Sequence, residues 1–178
     1  MKKIITFGLM ALASQLSTAN EISLAISDEL VELRMESNYE QDFFGRFAYM
    51  HADSNGVDSD QLSYTFGVEG KIDRTNVMLG LRPYWIDAEN ETAYGLALGL
   101  GGSTEIVSKL TVGAEIFYAP EILTGGDVDD SLDMEVRLSY QLIENGAIFG
   151  GYREIELDAD VGDVDVYDSF FLGVALTF

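Results

Sequence analysis

Leu62, Tyr64, Phe66 and Val68 alternate with Ser63, Thr65, Gly67 and Glu69, and this period of two recurs in blocks along most of the chain. Successive side chains of a strand point to opposite faces, so each block reads as an extended strand with one apolar and one polar face. Val77, Leu79, Leu81, Pro83 and Trp85 oppose Met78, Gly80, Arg82 and Tyr84; Tyr94, Leu96, Leu98 and Leu100 oppose Ala93, Gly95, Ala97, Gly99 and Gly101. Leu110, Val112, Ala114, Ile116 and Tyr118 oppose Thr111, Gly113, Glu115 and Phe117, and the even positions from Leu132 to Leu142 oppose Asp133, Glu135, Arg137, Ser139 and Gln141. A closing block sets Phe170, Leu172, Val174, Leu176 and Phe178 against Gly173, Ala175 and Thr177. Less regular segments cover Phe43 to Asp53 and Ala147 to Leu157, and near the start Val31, Leu33 and Met35 alternate with Glu32, Arg34 and Glu36.

Each regular block is about ten residues long, the length a tilted strand needs to cross a bilayer. The connections alternate as well. Tyr39 to Asp42, Asp73 to Asn76, Ser103 to Lys109 and Ile143 to Gly146 are compact. Between them fall longer or more acidic stretches, Ser54 to Asp60, Asp87 to Glu91, Glu121 to Asp130 and Asp158 to Asp168. Short turns at one end and longer loops at the other are the pattern of outer-membrane barrels, whose short turns face the periplasm and whose strand number is even. Nine segments are clear, and adding Ile22 to Ser27, turning at Asp28-Glu29, gives ten. The expected fold is therefore an antiparallel transmembrane β-barrel of ten strands, or eight if the first two pieces lie outside the wall, with short periplasmic turns and longer acidic extracellular loops.

The start of the chain fits export. Lys2 and Lys3 precede a short apolar run from Ile4 to Ala13, and Ser17-Thr18-Ala19 supplies small residues before Asn20. This is the order of a cleaved signal peptide over residues 1–19, leaving a single domain from 20 to 178. The apolar run is shorter than the roughly 20 residues of a spanning helix. With 31 acidic and 10 basic side chains, the chain has a formal charge of −21, a field of the wrong sign for nucleic acid. Cysteine is absent and His51 is the one histidine, which removes thiolate and poly-histidine metal sites and an ordinary Ser-His-Asp triad. No cleft-forming pair of acid and base residues stands out, so no enzymatic activity is expected.

Which face meets lipid decides the function class. Arg34, Arg46, Arg82, Arg137 and Arg153 all fall opposite the apolar stripes, together with Glu32, Glu36, Glu69, Glu115, Asp133 and Glu135. In a membrane barrel that polar face is the lumen. Aromatic residues gather near stripe ends (Tyr49, Tyr64, Trp85, Tyr94, Tyr118, Tyr140, Tyr152, Phe178), as an interfacial girdle requires, and the polar face is rich in glycine, as a crowded lumen requires. The alternative is a soluble, lipocalin-like periplasmic barrel, with the apolar stripes pointing inward around an apolar ligand.

In the membrane reading the inward charges, Arg34, Arg46, Glu69, Arg82, Glu115, Asp133, Glu135, Arg137 and Arg153, form a lumen network. It acts either as a plug of salt bridges or as the lining of a narrow channel for ions or small solutes, and the filled interior of small barrels favours the plug. Asp158, Asp160, Asp163 and Asp165, and a second group of Asp127, Asp129 and Asp130, offer oxygen ligands for loosely held Ca²⁺ or Mg²⁺, without the spacing of a calcium-binding loop. Their simpler role is a solvated, anion-repelling surface, or one bridged by divalent ions to lipopolysaccharide. Gly173, Leu176 and the final Phe178 resemble the C-terminal signal read by the outer-membrane barrel assembly machinery.

The sequence is similar to the YfaZ-type outer-membrane proteins of proteobacteria. The similarity is carried by Gly113-Ala114-Glu115-Ile116-Phe117-Tyr118-Ala119-Pro120 before an acidic loop, by Gly151-Tyr152-Arg153 with Ile155 and Leu157, and by Leu172-Gly173-Val174-Ala175-Leu176-Thr177-Phe178. It follows most of the chain after the leader in order and spacing, with its specific motifs in the C-terminal half. The resemblance implies a porin-like barrel in the outer membrane of a Gram-negative cell, and it carries no catalytic residues or established activity with it.

Overall fold

The computed structural model describes residues 20–39, 42–54, 56–88, 91–126, 128–159 and 162–178. The expected signal peptide and the aspartates Asp127 and Asp160 lie outside the described residues. The alternating segments form strands β1 (Glu21–Ile26), β2 (Leu30–Asn38), β3 (Phe43–Ser54), β4 (Val57–Ile72), β5 (Thr75–Ala88), β6 (Glu91–Val107), β7 (Leu110–Ala119), a short β8 (Thr124–Gly126), β9 (Val128–Ile143), β10 (Gly146–Ala159) and β11 (Gly162–Thr177). Ten of them make an antiparallel wall in chain order. The first and last strands pair from Glu21↔Thr177 to Ile26↔Leu172, and the β5–β6 ladder runs unbroken from Thr75↔Thr104 to Ala88↔Glu91, so the sheet closes on itself. Closure leaves no unpaired edge, the arrangement that lets strands satisfy their backbone in lipid.

The outward face is apolar. Along β4, Gln61, Ser63 and Thr65 are buried while Phe66 and Val68 are exposed. Leu79, Leu98 and Leu172 on other strands are 63%, 52% and 69% exposed. A soluble barrel needs the opposite arrangement, polar outside and apolar around a central ligand; the lipocalin-like alternative fails on this orientation. Toward the end away from the chain termini, Tyr49, Leu62, Trp85 and Tyr94 stand side by side across four strands. Next to them outward tyrosines donate to aspartates one step nearer the rim: Tyr49 to Asp60 at 2.7 Å, Tyr118 to Asp130 at 3.2 Å, and Tyr152 to Asp168. An aromatic ring whose hydroxyl reaches a carboxylate marks the border between an apolar and an aqueous zone.

The connections differ from the sequence-based expectation at that far end. Most of the residues read as longer acidic loops are paired strand: Asp58 and Asp60 belong to β4, Asp87 to β5, Asp158 to β10 and Asp165 to β11. Beyond the aromatic belt the outer face carries exposed aspartates while small or apolar side chains such as Ala52, Ser59, Ala88 and Leu157 are buried inside, so the sense of the alternation reverses while the backbone ladder continues. The genuine break is after β7. A 3₁₀ turn (Glu121–Leu123) leads into β8, which pairs with β6 at Ala93–Gly95, above the point where β7 stops. Gly126 makes this possible: at φ 97° its backbone lies so close to Thr92 that a Cβ would stand 1.9 Å from the Thr92 carbonyl oxygen. At the termini end the turns are tight, with Asp73 and Lys109 in the left-handed region at φ 55° and 71°.

One irregularity redirects the lumen. Between β10 and β11, Ile155 pairs with Tyr167 but Glu156 pairs with Asp165, leaving Val166 as an extra residue. The bulge flips the parity of inward positions, so Val166 and Tyr167 are both wholly buried. Tyr167 then reaches across to donate to Ser27 Oγ at 3.2 Å.

Candidate functional site

Inward positions from six strands converge in the middle of the barrel. Glu32, Arg34 and Glu36 come from β2, Arg46 from β3, Arg82 from β5, Glu115 from β7, Asp133, Glu135 and Arg137 from β9, and Arg153 from β10. Because every second residue of a strand shares a face, Glu32, Arg34 and Glu36 form one inward column and Asp133, Glu135 and Arg137 another. Barrel closure sets the two columns opposite each other.

The charges pair in one continuous path. Arg46 donates through Nε to Glu36 at 2.7 Å and through Nη1 to Glu115 at 2.6 Å. Arg82 Nη2 lies 3.9 Å from Glu115, and its Nη1 donates to Asp133. Arg153 grips the same Asp133 through Nε at 2.9 Å and Nη2 at 2.8 Å, and its Nη1 donates to Glu32 at 2.6 Å. Arg34 bridges Glu32, at 2.8 Å from Nε, and Glu135, which it holds with both terminal nitrogens; Arg137 Nε closes the chain on Glu135 at 2.8 Å. Among the described residues this path joins five arginines to five carboxylates, so it is neutral by formal charge. Glu32, Arg34, Arg82, Glu135 and Arg153 are all buried. An unpaired ion there would cost several kcal/mol, about 3–5 when one member of a buried pair is removed, so the network is stable only as a complete set.

Aromatic rings hold three of the guanidinium groups in place. Arg82 Cζ lies 3.4 Å from the Phe117 ring centroid; Arg137 Cζ lies 4.2 Å from that of Phe149 and 5.8 Å from that of Phe171. Arg46 sits 5.6 Å from the Phe44 centroid. Stacking a cation on a ring adds attraction that strengthens once water is excluded. The rings fit because glycines lie beneath them: a Cβ on Gly99 would stand 2.1 Å from Phe117, and one on Gly173 would stand 2.3 Å from Phe149.

The two ends of the lumen differ. Toward the far end Leu30, Met50, Ile86, Ile155, Leu157 and Val166 fill the interior, each at most 3% exposed. Tyr84 accepts a hydrogen bond from Ser131 at 2.8 Å at the base of this layer. Toward the termini end the charged path opens into a cavity of about 360 Å³. Glu69 stands at this open end, half-buried and outside the ion-pair path. Sequence reading missed the apolar layer, although Ile86 shares the parity of Arg82, and Ile155 that of Arg153. It also missed Tyr167, which the bulge brings inward.

Of the remaining candidates, Gly173 faces inward under Phe149, Leu176 is half-exposed on the outer wall, and Phe178 is 72% exposed, its backbone N–H donating to Asn20 at 2.8 Å. Asp158 and Asp165 are exposed at the far end, Asp160 lies outside the described residues, and Asp163 is placed only by its backbone, opposite Asp158 in the ladder. Among the described residues no group of three or more histidines or carboxylates is arranged to hold a metal ion.

A family model described as YfaZ precursor matches residues 1–178. No curated protein matches the sequence. Solved structures with a similar fold include the KdgM porin, at 10% identity and a TM-score of 0.49 over 89% of this chain and 98% of that chain. The NanC porin aligns at 9% identity and a TM-score of 0.44 over 89% of this chain and 98% of that one. OmpT of Vibrio cholerae aligns at 11% identity and a TM-score of 0.42 over 89% of this chain and 64% of that one. At these identities the likeness extends to the barrel fold alone.

Proposed function

The chain belongs to the YfaZ family, and from that premise we propose that it is an integral outer-membrane barrel whose lumen is shut, a structural wall protein in place of an open solute channel. The apolar outer band with its aromatic belt supports residence in a bilayer. The observation that carries the closed reading is Arg153, which ties Glu32 on one wall to Asp133 on another under a layer of buried apolar side chains. Water and ions would have to break that path and then cross a dry layer. The short-turn end, which holds both chain termini, faces the periplasm in this reading, and the acidic hairpins face outward, where divalent ions would bridge them to lipopolysaccharide phosphates. Delivery rests on a leader over residues 1–19, and insertion on the barrel assembly machinery reading the strand that carries Gly173, Leu176 and Phe178.

The membrane part is tested by fractionating cells that express the chain. Retention in the outer-membrane fraction through a urea wash, with a heat-modifiable band on gels, is the expected result. Recovery in the soluble periplasmic fraction would overturn it.

A further inference from the structure

We propose that the cavity at the termini end is a binding site for a linear aliphatic polyamine. The inference rests on the closed-lumen reading, because a shut far end turns this space into a blind vestibule that a ligand enters and leaves by one mouth. Its volume of about 360 Å³ is within the range of small-molecule pockets, about 300–1,000 Å³.

The charge of the lining selects the ligand. Five carboxylates but only three guanidinium groups border the space. The three arginines, Arg34, Arg46 and Arg137, are already engaged by Glu32, Glu36, Glu115 and Glu135. Glu21 and Glu69 remain: both are half-buried, and among the described residues neither has a Lys or Arg nitrogen within salt-bridge distance. Glu21 also stands directly opposite Glu36 in the β1–β2 ladder; Arg46 holds Glu36, and Glu21 adds a second like charge beside it that a further cation would offset.

The geometry separates an organic cation from a metal ion. No three carboxylates among the described residues converge as metal ligands. The surplus charges are instead spread around the mouth, on β1 and β4, with Phe44 on the intervening β3 and Met78 on β5 offering apolar surface in the same cavity, and Ser103 and Ser139 offering hydroxyl acceptors. Separated ammonium groups joined by methylene chains match that order of charged, apolar and polar contacts.

The chain contains no cysteine, so a single Ser139→Cys reports on the vestibule. In the refolded barrel, spermidine at fixed ionic strength is expected to slow modification of that thiol by a small neutral maleimide, saturably, while NaCl of equal ionic strength leaves the rate unchanged and a cysteine placed at Glu121 reacts as before. Glu21→Gln with Glu69→Gln should raise the half-protecting concentration about tenfold or more, since each 1.4 kcal/mol of lost charge-assisted bonding is tenfold. Ser103→Leu, which fills the space without touching a charge, should abolish protection in a barrel that still shows its heat-modifiable band. Absence of protection by spermidine, or protection unchanged in the Gln variant, overturns the site. Single-channel current from the same preparation separates the two readings: steady conductance with saturable protection removes the closed lumen and leaves the site, whereas a silent barrel without protection removes the site alone.

Discussion

Arg153 and Glu32 are 121 residues apart in the chain and 2.6 Å apart across the lumen, and both are almost completely buried. Their contact exists only because β1 pairs with β11 and closes the wall. It therefore couples the fold's global topology to the sealing of its interior.

Removing one partner of that pair leaves the other buried and uncompensated. Arg153→Met and Glu32→Gln are each expected to lower stability by about 3–5 kcal/mol, with the double variant losing less than the sum of the two. Urea unfolding of the refolded barrel in detergent or lipid, followed through Trp85 fluorescence, measures the cycle; strictly additive losses would show that the two groups do not interact.

A methyl group on Gly99 would occupy space taken by the Phe117 ring, against which the Arg82 guanidinium also stacks. Gly99→Ala should destabilise by about 1–3 kcal/mol through overpacking. Adding Phe117→Leu should recover part of the loss by making room, at the cost of the cation–π contact. An unaltered unfolding midpoint in Gly99→Ala would mean the ring does not lie there.

Lipid contact makes a sharper distinction between faces. Leu100 is 58% exposed on the outer wall. Leu100→Arg should cost about 2–4 kcal/mol in a bilayer, where charge on the lipid face is expensive near the midplane. Glu121→Arg, at the far rim, should leave stability within about 0.5 kcal/mol. Equal tolerance at the two sites would place the outer wall in water.

Much of this architecture was legible in the sequence wherever one face was meant for lipid and the other for the lumen. Leu62 to Val68 and Leu132 to Leu142 announce their strands because burial in two unlike media forces a period of two. The signal fails where the outer medium becomes water: above the aromatic belt Asp58, Asp87 and Asp158 point outward from paired strands whose inward residues, Ser59, Ala88 and Leu157, are buried, so the polarity of the two faces reverses and the strands read as acidic loops. It fails also at Val166, because an inserted residue reverses parity without leaving any compositional mark. The inward parity of the arginines could be read directly. Their partners could not, since Arg34 meets Glu135 and Arg153 meets Glu32 only through closure. Glu69 shares that parity but sits too near the mouth to join the path.

The central claim is that the lumen is shut, and planar-bilayer recording of the purified barrel tests it most directly. The wild-type barrel is expected to insert without steady conductance, whereas a variant combining Arg82→Ala, Arg153→Ala and Ile86→Ala, which breaks the ion path and thins the apolar layer together, should give discrete steps of current. Steady steps from the wild-type barrel itself, in repeated insertions, would contradict the claim.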